Sequence, residues 1–503
     1  MKYYNVIENK NFVNRHSEWK RFEKITSINK AAIIVVHGRR RVGKTELIEQ
    51  YFRKYNILKF EGIQSDPKKK KISKNEETYQ IKNCIRLLGK YLKQESVYNK
   101  IICNTWSEFF ELISPIVEKE HVILYFEEVQ WLANYKYKFM AELKPFWDNS
   151  WRHNNNLKIV FSGSSPSFMV GQFISNMALY NRSQHEFSLE PFNLLEIQEY
   201  LRQNRGIGNR EVMLTAITIG GICGYLERLV NESSVFSGLC INSFEKDSFF
   251  SKEYDRIFVS SMAENKYYKK ILDFLSMHKF ATRQEIIKAV SSNKKSSGGF
   301  TTILKDLESC GFIQKYVPIK HNQNSLLARY FISDEYLQLY LKFIKPNLKK
   351  INNNSYKDNT KKALNMHAFN IVMGFSFERW CRKNERLFAK IMNFGDVEYD
   401  SGSFFNQNTA KQDKNFQIDL MYIRADHKII ICEIKYLDAE VSGNVALEIR
   451  KKLNIFQEQN PKYKNYTFET ALITTEGIKK NSSIENYFDH IITFDDIFNP
   501  NNW

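Results

Sequence analysis

An apolar run that turns abruptly into glycine and arginine constrains this chain more than any other feature. Ile33–Val36 is a short β-branched stretch suited to a buried strand, Gly38-Arg39-Arg40-Arg41-Val42-Gly43 follows it, and Lys44-Thr45 opens a segment with Leu47, Ile48 and Tyr51 at helical spacing. Strand, glycine-bounded loop and helix in that order make a phosphate cradle. Backbone N–H groups of the loop and of the first helical turn face anionic oxygens, and Gly38 and Gly43 permit the tight path. Lys44 reaches the β- and γ-phosphates, while the Thr45 hydroxyl is placed for Mg²⁺. A basic, solvated turn can carry the same letters by chance. The strand-to-helix setting and a second nucleotide motif downstream argue against that.

The second motif is Val122-Ile123-Leu124-Tyr125-Phe126-Glu127-Glu128, an apolar strand ending in adjacent carboxylates. Such a pair offers one group to the Mg²⁺ shell, Glu127, and a second to polarise an attacking water, Glu128. An Asp usually fills the first place, so Glu127 carries one extra methylene. A third apolar strand, Lys158–Phe161, runs into Ser162-Gly163-Ser164-Ser165-Pro166, where Ser164 is the candidate γ-phosphate sensor. Arg182 follows shortly and is the candidate for stabilising charge on the transferring phosphate.

The chain of 503 residues exceeds a single compact core, and 74 basic against 56 acidic residues leave a formal charge of +18. That imbalance favours a polyanionic partner such as DNA, although a lysine-rich solvated face produces the same count. The seven cysteines contain no CxxC pair and no secretory segment is evident, so a reducing, cytoplasmic setting is expected. No apolar run approaches the roughly 18–20 residues of a membrane helix, so no membrane association is expected. The histidines lack metal-ligand spacing.

Taken in order, Phe12-Val13-Asn14-Arg15, GRRRVGKTELI, LYFEEVQWL, FSGSSPSFM, LYNR, Leu189-Glu190-Pro191-Phe192 and Gly220-Gly221 resemble the archaeal-type ATPase family of the STAND-related P-loop branch. The resemblance implies an AAA-like α/β core, residues 1–200, with ATP and Mg²⁺ bound by Gly38 to Thr45, Glu127, Ser164 and Arg182. It implies a helical lid over 201–262 and a homo-oligomer. Residues 263–345 read as three short helices and a hairpin, a winged helix, which serves equally as a DNA reader or a docking module. The Asn-, Lys- and Pro-rich stretch 346–361 reads as a linker.

The C-terminal region, 362–503, carries its own constellation. Glu433 and Lys435 lie two apart in the strand Ile429–Lys435 and leave the same face. If the strand containing Asp419 pairs with it as a hairpin, the two carboxylates meet with Lys435 beside them. That set suits phosphodiester hydrolysis with Mg²⁺ or Mn²⁺ on Asp419 and Glu433. ExK after an apolar strand is weak by itself. With Asp419, and with Glu378 in the preceding helix, it resembles the PD-(D/E)xK nucleases, which implies a restriction-endonuclease-like α/β domain. The combined expectation is an ATP-regulated, metal-dependent DNA endonuclease, in defence or mobile-element processing. The alternative is an ATP-driven nucleic-acid- or protein-binding switch whose nuclease-like domain does not cut.

Overall fold

Alternation along each core strand sends neighbouring side chains into opposite apolar layers, and this division organises the front half of the molecule. In the computed structural model, which describes residues 3–503 apart from 14, 65–73, 172–183, 204–205, 262–264, 292–296, 318, 320–327, 407–415 and 480–486, five strands form one sheet. They are β1 (Ala32–His37), β2 (Asn56–Glu61), β3 (Val122–Glu127), β4 (Lys158–Gly163) and β5 (Gln184–Ser188), in the order β2-β3-β4-β1-β5, all parallel. Ile34, Val36, Ile123, Tyr125 and Val160 enter one layer, where the helices His16–Ser27 and Lys44–Phe52 place Phe22, Leu47 and Phe52. Ile33, Val35, Leu124, Phe126 and Phe161 enter the other, against the helices Lys74–Leu92, Trp106–Val117 and Lys138–Asn149. Burial on both faces is what a parallel sheet requires, and it explains why β1, β3 and β4 read as unbroken apolar runs. The architecture is the expected α/β P-loop ATPase core. Strand β5, QHEFS, was not anticipated, because an edge strand half exposed to water has no apolar run to announce it.

Helices Leu194–Arg202, Asn209–Thr218, Val235–Phe244 and Phe249–Ser261 follow the core and share its first apolar layer. The first starts with a reciprocal cap between Asn193 and Glu196. Beyond them, helices Lys266–Ser276, Arg283–Val290 and Ser297–Ser309 pack with a small antiparallel sheet, β6 (Ala281–Thr282), β7 (Ile313–Tyr316) and β8 (Arg329–Ile332), ordered β6-β8-β7. The anticipated three helices and hairpin are therefore accompanied by a third, very short strand. The stretch expected as a linker is folded: it holds the helix Leu348–Asn352, with Ile351 buried and the Tyr356 hydroxyl donating to Asn347 Oδ1 at 2.7 Å. Three apolar anchors among the Asn and Lys residues were enough to seat it.

The C-terminal region is a second five-stranded sheet, β9 (Tyr399–Asn406), β10 (Phe416–Arg424), β11 (Lys428–Lys435), β12 (Thr467–Thr474) and β13 (His490–Ile492), ordered β13-β12-β11-β10-β9. β9, β10 and β11 run antiparallel; β11, β12 and β13 run parallel. The helix Met366–Lys383 packs on one side through Phe369, Met373 and Phe377, and the helix Asn444–Gln459 on the other through Ile449 and Phe456. Among the described residues no helix is long and apolar enough to cross a membrane.

Candidate functional site

The carboxyl ends of β1, β3 and β4 meet at one edge of the first sheet, where open parallel sheets place their ligands. Leaving β1, the chain passes through Gly38 to Gly43 and enters the helix Lys44–Phe52; Gly43 sits at φ 98°, a left-handed conformation that strains any residue with a Cβ. Lys44 is buried, its Nζ donating to the carbonyls of Gly38 and Arg39 at 3.0 Å and to Ser164 Oγ at 2.9 Å. Burial lowers its pKa, against the opposing pull of Glu128 and Glu127. Ser164 in turn donates to Glu128 Oε1 at 2.6 Å. The second Glu128 oxygen accepts from Gln130 Nε2, and Glu128 itself holds φ 49°, a strained backbone held in place by these partners.

Glu127 follows a different pattern. Its Oε1 accepts from the Thr45 hydroxyl and its Oε2 lies 2.6 Å from Lys59 Nζ, which also pairs with Glu49 at 2.6 Å. Burial pulls the Lys59 ammonium down, but Glu127 and Glu49 push it above its ordinary value. The extra methylene of Glu127 thus lets one carboxylate touch both Thr45 and a buried lysine. Several buried donors around the loop have no protein partner among the described residues: Arg39 Nε and Nη2, Arg40 Nε and Ser165 Oγ.

Three arginines brace the loop. Arg15 Nη2 donates to the Val42 carbonyl at 3.0 Å, Arg39 pairs with Asp334 at the head of the helix Glu335–Leu339, and Arg41 Nε pairs with Glu253 Oε1 at 2.7 Å. Arg182 lies outside the described residues.

In the second sheet, register places Leu420 opposite Cys432, so Asp419 and Glu433 meet across β10 and β11. Both are buried. Burial first, then the Glu378 and Glu433 carboxylates, raise the Asp419 pKa to about 7. Glu433 Oε1 lies 2.8 Å from Lys435 Nζ, and its Oε2 lies 2.6 Å from Lys452 Nζ on the helix Asn444–Gln459. Lys452 therefore faces inward, toward Glu433. Glu378 joins from the helix Met366–Lys383, with one buried oxygen lacking any hydrogen bond. The residues singled out in the sequence are thus brought together. Among the described residues, however, no group of three or more His, Cys, Asp and Glu side chains is arranged to hold a metal ion, and the two lysines occupy both Glu433 oxygens.

Residues 12–229 match the family model described as an ATPase domain predominantly from Archaea. The walker-type ATPase PABY2304 of Pyrococcus abyssi is structurally similar, with a TM-score of 0.50 at 17% identity over 67% of this chain and 98% of that one. The chain has the fold of the archaeal-type P-loop ATPases. An uncharacterised protein of Methanocaldococcus jannaschii, MJECL04, is 25% identical over 374 residues, 73% of this chain and 76% of that protein. An uncharacterised ATP-binding protein of the same organism, MJ0423, is 46% identical over 46 residues, 9% of this chain and 78% of that protein. Residues 340–449 match a second model, of archaeal and bacterial proteins of unknown function, and these include Glu378, Asp419, Glu433 and Lys435.

Around this P-loop ATPase fold, sequence reasoning missed Lys59, Glu253 and Asp334. A lysine inside the apolar run Ile57–Phe60 was a legible signal for the first. Nothing local marked the other two, since their partner loop lies some two to three hundred residues away.

Proposed function

We propose that this chain is an ATP-binding switch that acts on nucleic acid or on a protein partner, with occupancy of the phosphate loop coupled to the placement of the regions behind it. The observation that carries this reading is that two loop arginines are committed to distant elements: Arg39 to Asp334 and Arg41 to Glu253. A guanidinium drawn to a triphosphate gives up some of its bond to a carboxylate. Nucleotide and inter-region bridges therefore bias one equilibrium, and the shift is set by the difference in nucleotide affinity between its two states. Lys44 and the loop N–H groups bind the phosphates, Thr45 and Glu127 hold Mg²⁺, Ser164 senses the γ-phosphate and Glu128 orients water. The family of the front half and the charge of +18 support ATP and a polyanionic partner respectively.

Hydrogen exchange of the full chain with and without a non-hydrolysable ATP analogue tests the coupling. Protection in 329–344 is expected to change on binding, and Arg39→Gln or Asp334→Asn should abolish that response while leaving the loop able to bind; Asn retains the helix-capping acceptor at 334. Identical exchange with and without bound nucleotide would sink the switch.

A second reading, DNA cutting by the C-terminal region, is favoured by the meeting of Asp419, Glu433 and Lys435 in one buried cluster. Asp419 and Glu433 would hold Mg²⁺ or Mn²⁺, which would supply an activated water and charge stabilisation. For that, Lys452 must release Glu433, while Lys435 stays to steady the developing negative charge. Cleavage of linear, circular and branched DNA under either metal, lost in Asp419→Ala, supports this second activity; no cleavage by a chain that demonstrably hydrolyses ATP leaves the switch alone.

A further inference from the structure

Between the small β6-β8-β7 sheet and the C-terminal sheet lies a cavity of about 340 Å³, within the range of small-ligand pockets. Its wall is unusual in charge. Among the described residues, Lys279, Arg379, Arg382 and Lys383 line it, against the single carboxylate of Glu385. Glu378 stands 3.6 Å from Arg382 and 4.0 Å from Lys279, so one carboxylate serves two cations, while Lys383 pairs with Glu335 at 3.4 Å. Arg379, on the buried side, donates to Ser376 Oγ at 2.8 Å and to Gln338, and among the described residues no carboxylate lies within ion-pair distance of it. Burial, then the neighbouring Arg382, lowers its pKa to about 10. Glu335 and Glu378 offset this only in part, so a half-buried guanidinium with no carboxylate in direct contact favours an incoming anion.

The rest of the wall is aromatic. Phe280, Tyr316, Phe331 and Phe375 line it, and Phe375 is 40% exposed with Lys279 Nζ 4.8 Å above its ring centre. Cations beside open aromatic faces form the chemistry that holds a base by stacking and its phosphate by charge. The floor leads to the acidic cluster: Lys279 donates to Gln417 at 2.9 Å, Gln417 to Asp419 Oδ1 at 3.3 Å, and Arg382 to the Asp419 carbonyl at 3.3 Å.

We infer that this cavity binds a nucleotide unit, separate from the phosphate loop, with its phosphate on Arg379, Arg382 and Lys279 and its base against Phe375. The unit is either a free nucleoside monophosphate or the 5′-phosphorylated end of a single strand. Neither source depends on DNA being cut, nor on the switch.

The full-length Lys44→Ala chain, in which the phosphate loop has lost its ammonium, is titrated with thymidine 5′-monophosphate by calorimetry. In parallel, a short 3′-fluorescein thymidine oligonucleotide with a 5′-phosphate or a 5′-hydroxyl is titrated by anisotropy. Saturable binding of the mononucleotide assigns the free ligand; a 5′-phosphate preference of about tenfold or more with no mononucleotide binding assigns the strand end. In either case Lys279→Gln and Phe375→Ala, both at partly exposed positions where folding is not at stake, should weaken that binding about tenfold. The inference is overturned if neither probe binds, if the 5′-phosphate makes no difference and the mononucleotide does not bind, or if both variants bind like the parent.

Discussion

Lys59 shows how one buried charge organises a site. It sits within β2 between Glu127 and Glu49 at 2.6 Å from each, so removing it leaves two carboxylates facing each other in a poorly solvated place. Lys59→Met should destabilise the front half by about 3 kcal/mol, the usual scale for breaking a buried pair, read as a lowered melting temperature. Asp419 is the opposite case, a carboxyl whose charged form the fold resists. Its pKa rises from 3.8 to about 7, so the native state binds the proton more tightly than the unfolded chain does. The stability this confers is fully present below about pH 4 and is lost as pH rises through about 7. In metal-free protein, Asp419→Asn should therefore raise the melting temperature at pH 8, and the gain should shrink steadily as pH falls toward 4. A gain that is the same across that range would show that Asp419 ionises freely.

At the scale of elements, close backbone approach decides how the helices behind the core are seated. Phe192 N–H donates to the Gly221 carbonyl at 2.8 Å, and a Cβ on Gly221 would lie 1.9 Å from the Phe192 oxygen. No rotamer change relieves a clash with backbone, so Gly221→Ala should cost about 3 kcal/mol or more and expose the segment 189–226 to hydrogen exchange. The Gly-Gly pair was legible as a motif; the reason for its second glycine is legible only once the Leu189–Phe192 segment lies against it. The strands repeat this lesson. β1, β3 and β4 announced themselves as apolar runs because both faces are buried, whereas β9, with Asp400, Ser401 and Gly402, borrows its pairing from β10 and has little local signal of its own.

For the whole molecule, one buried apolar cluster runs from the first layer of the ATPase core through the helices behind it to Phe369, Phe377, Leu420 and Tyr422 of the C-terminal region, and exposed charged contacts add to it. Arg210, on the helix Asn209–Thr218, pairs with Asp438, lies 3.2 Å from Glu476 and 3.1 Å from the Leu437 carbonyl, and sits over Tyr436. Because these groups are exposed, Arg210→Ala should cost only about 1 kcal/mol or less, yet should speed proteolysis near 436–438 at low salt, with the difference fading as salt is raised.

By itself, the sequence determined the phosphate loop, the paired carboxylates after β3, Ser164 and the Asp419, Glu433 and Lys435 set, because each depends on residues near in the chain and on the period of one strand or helix. Only tertiary structure decided that Arg39 meets Asp334, that Lys452 occupies Glu433, that the expected linker is folded and that four cations and four aromatic rings share one cavity. Those arrangements join residues far apart in sequence, where the cost of closing the chain is met by the packing of whole layers and leaves no local periodicity to read.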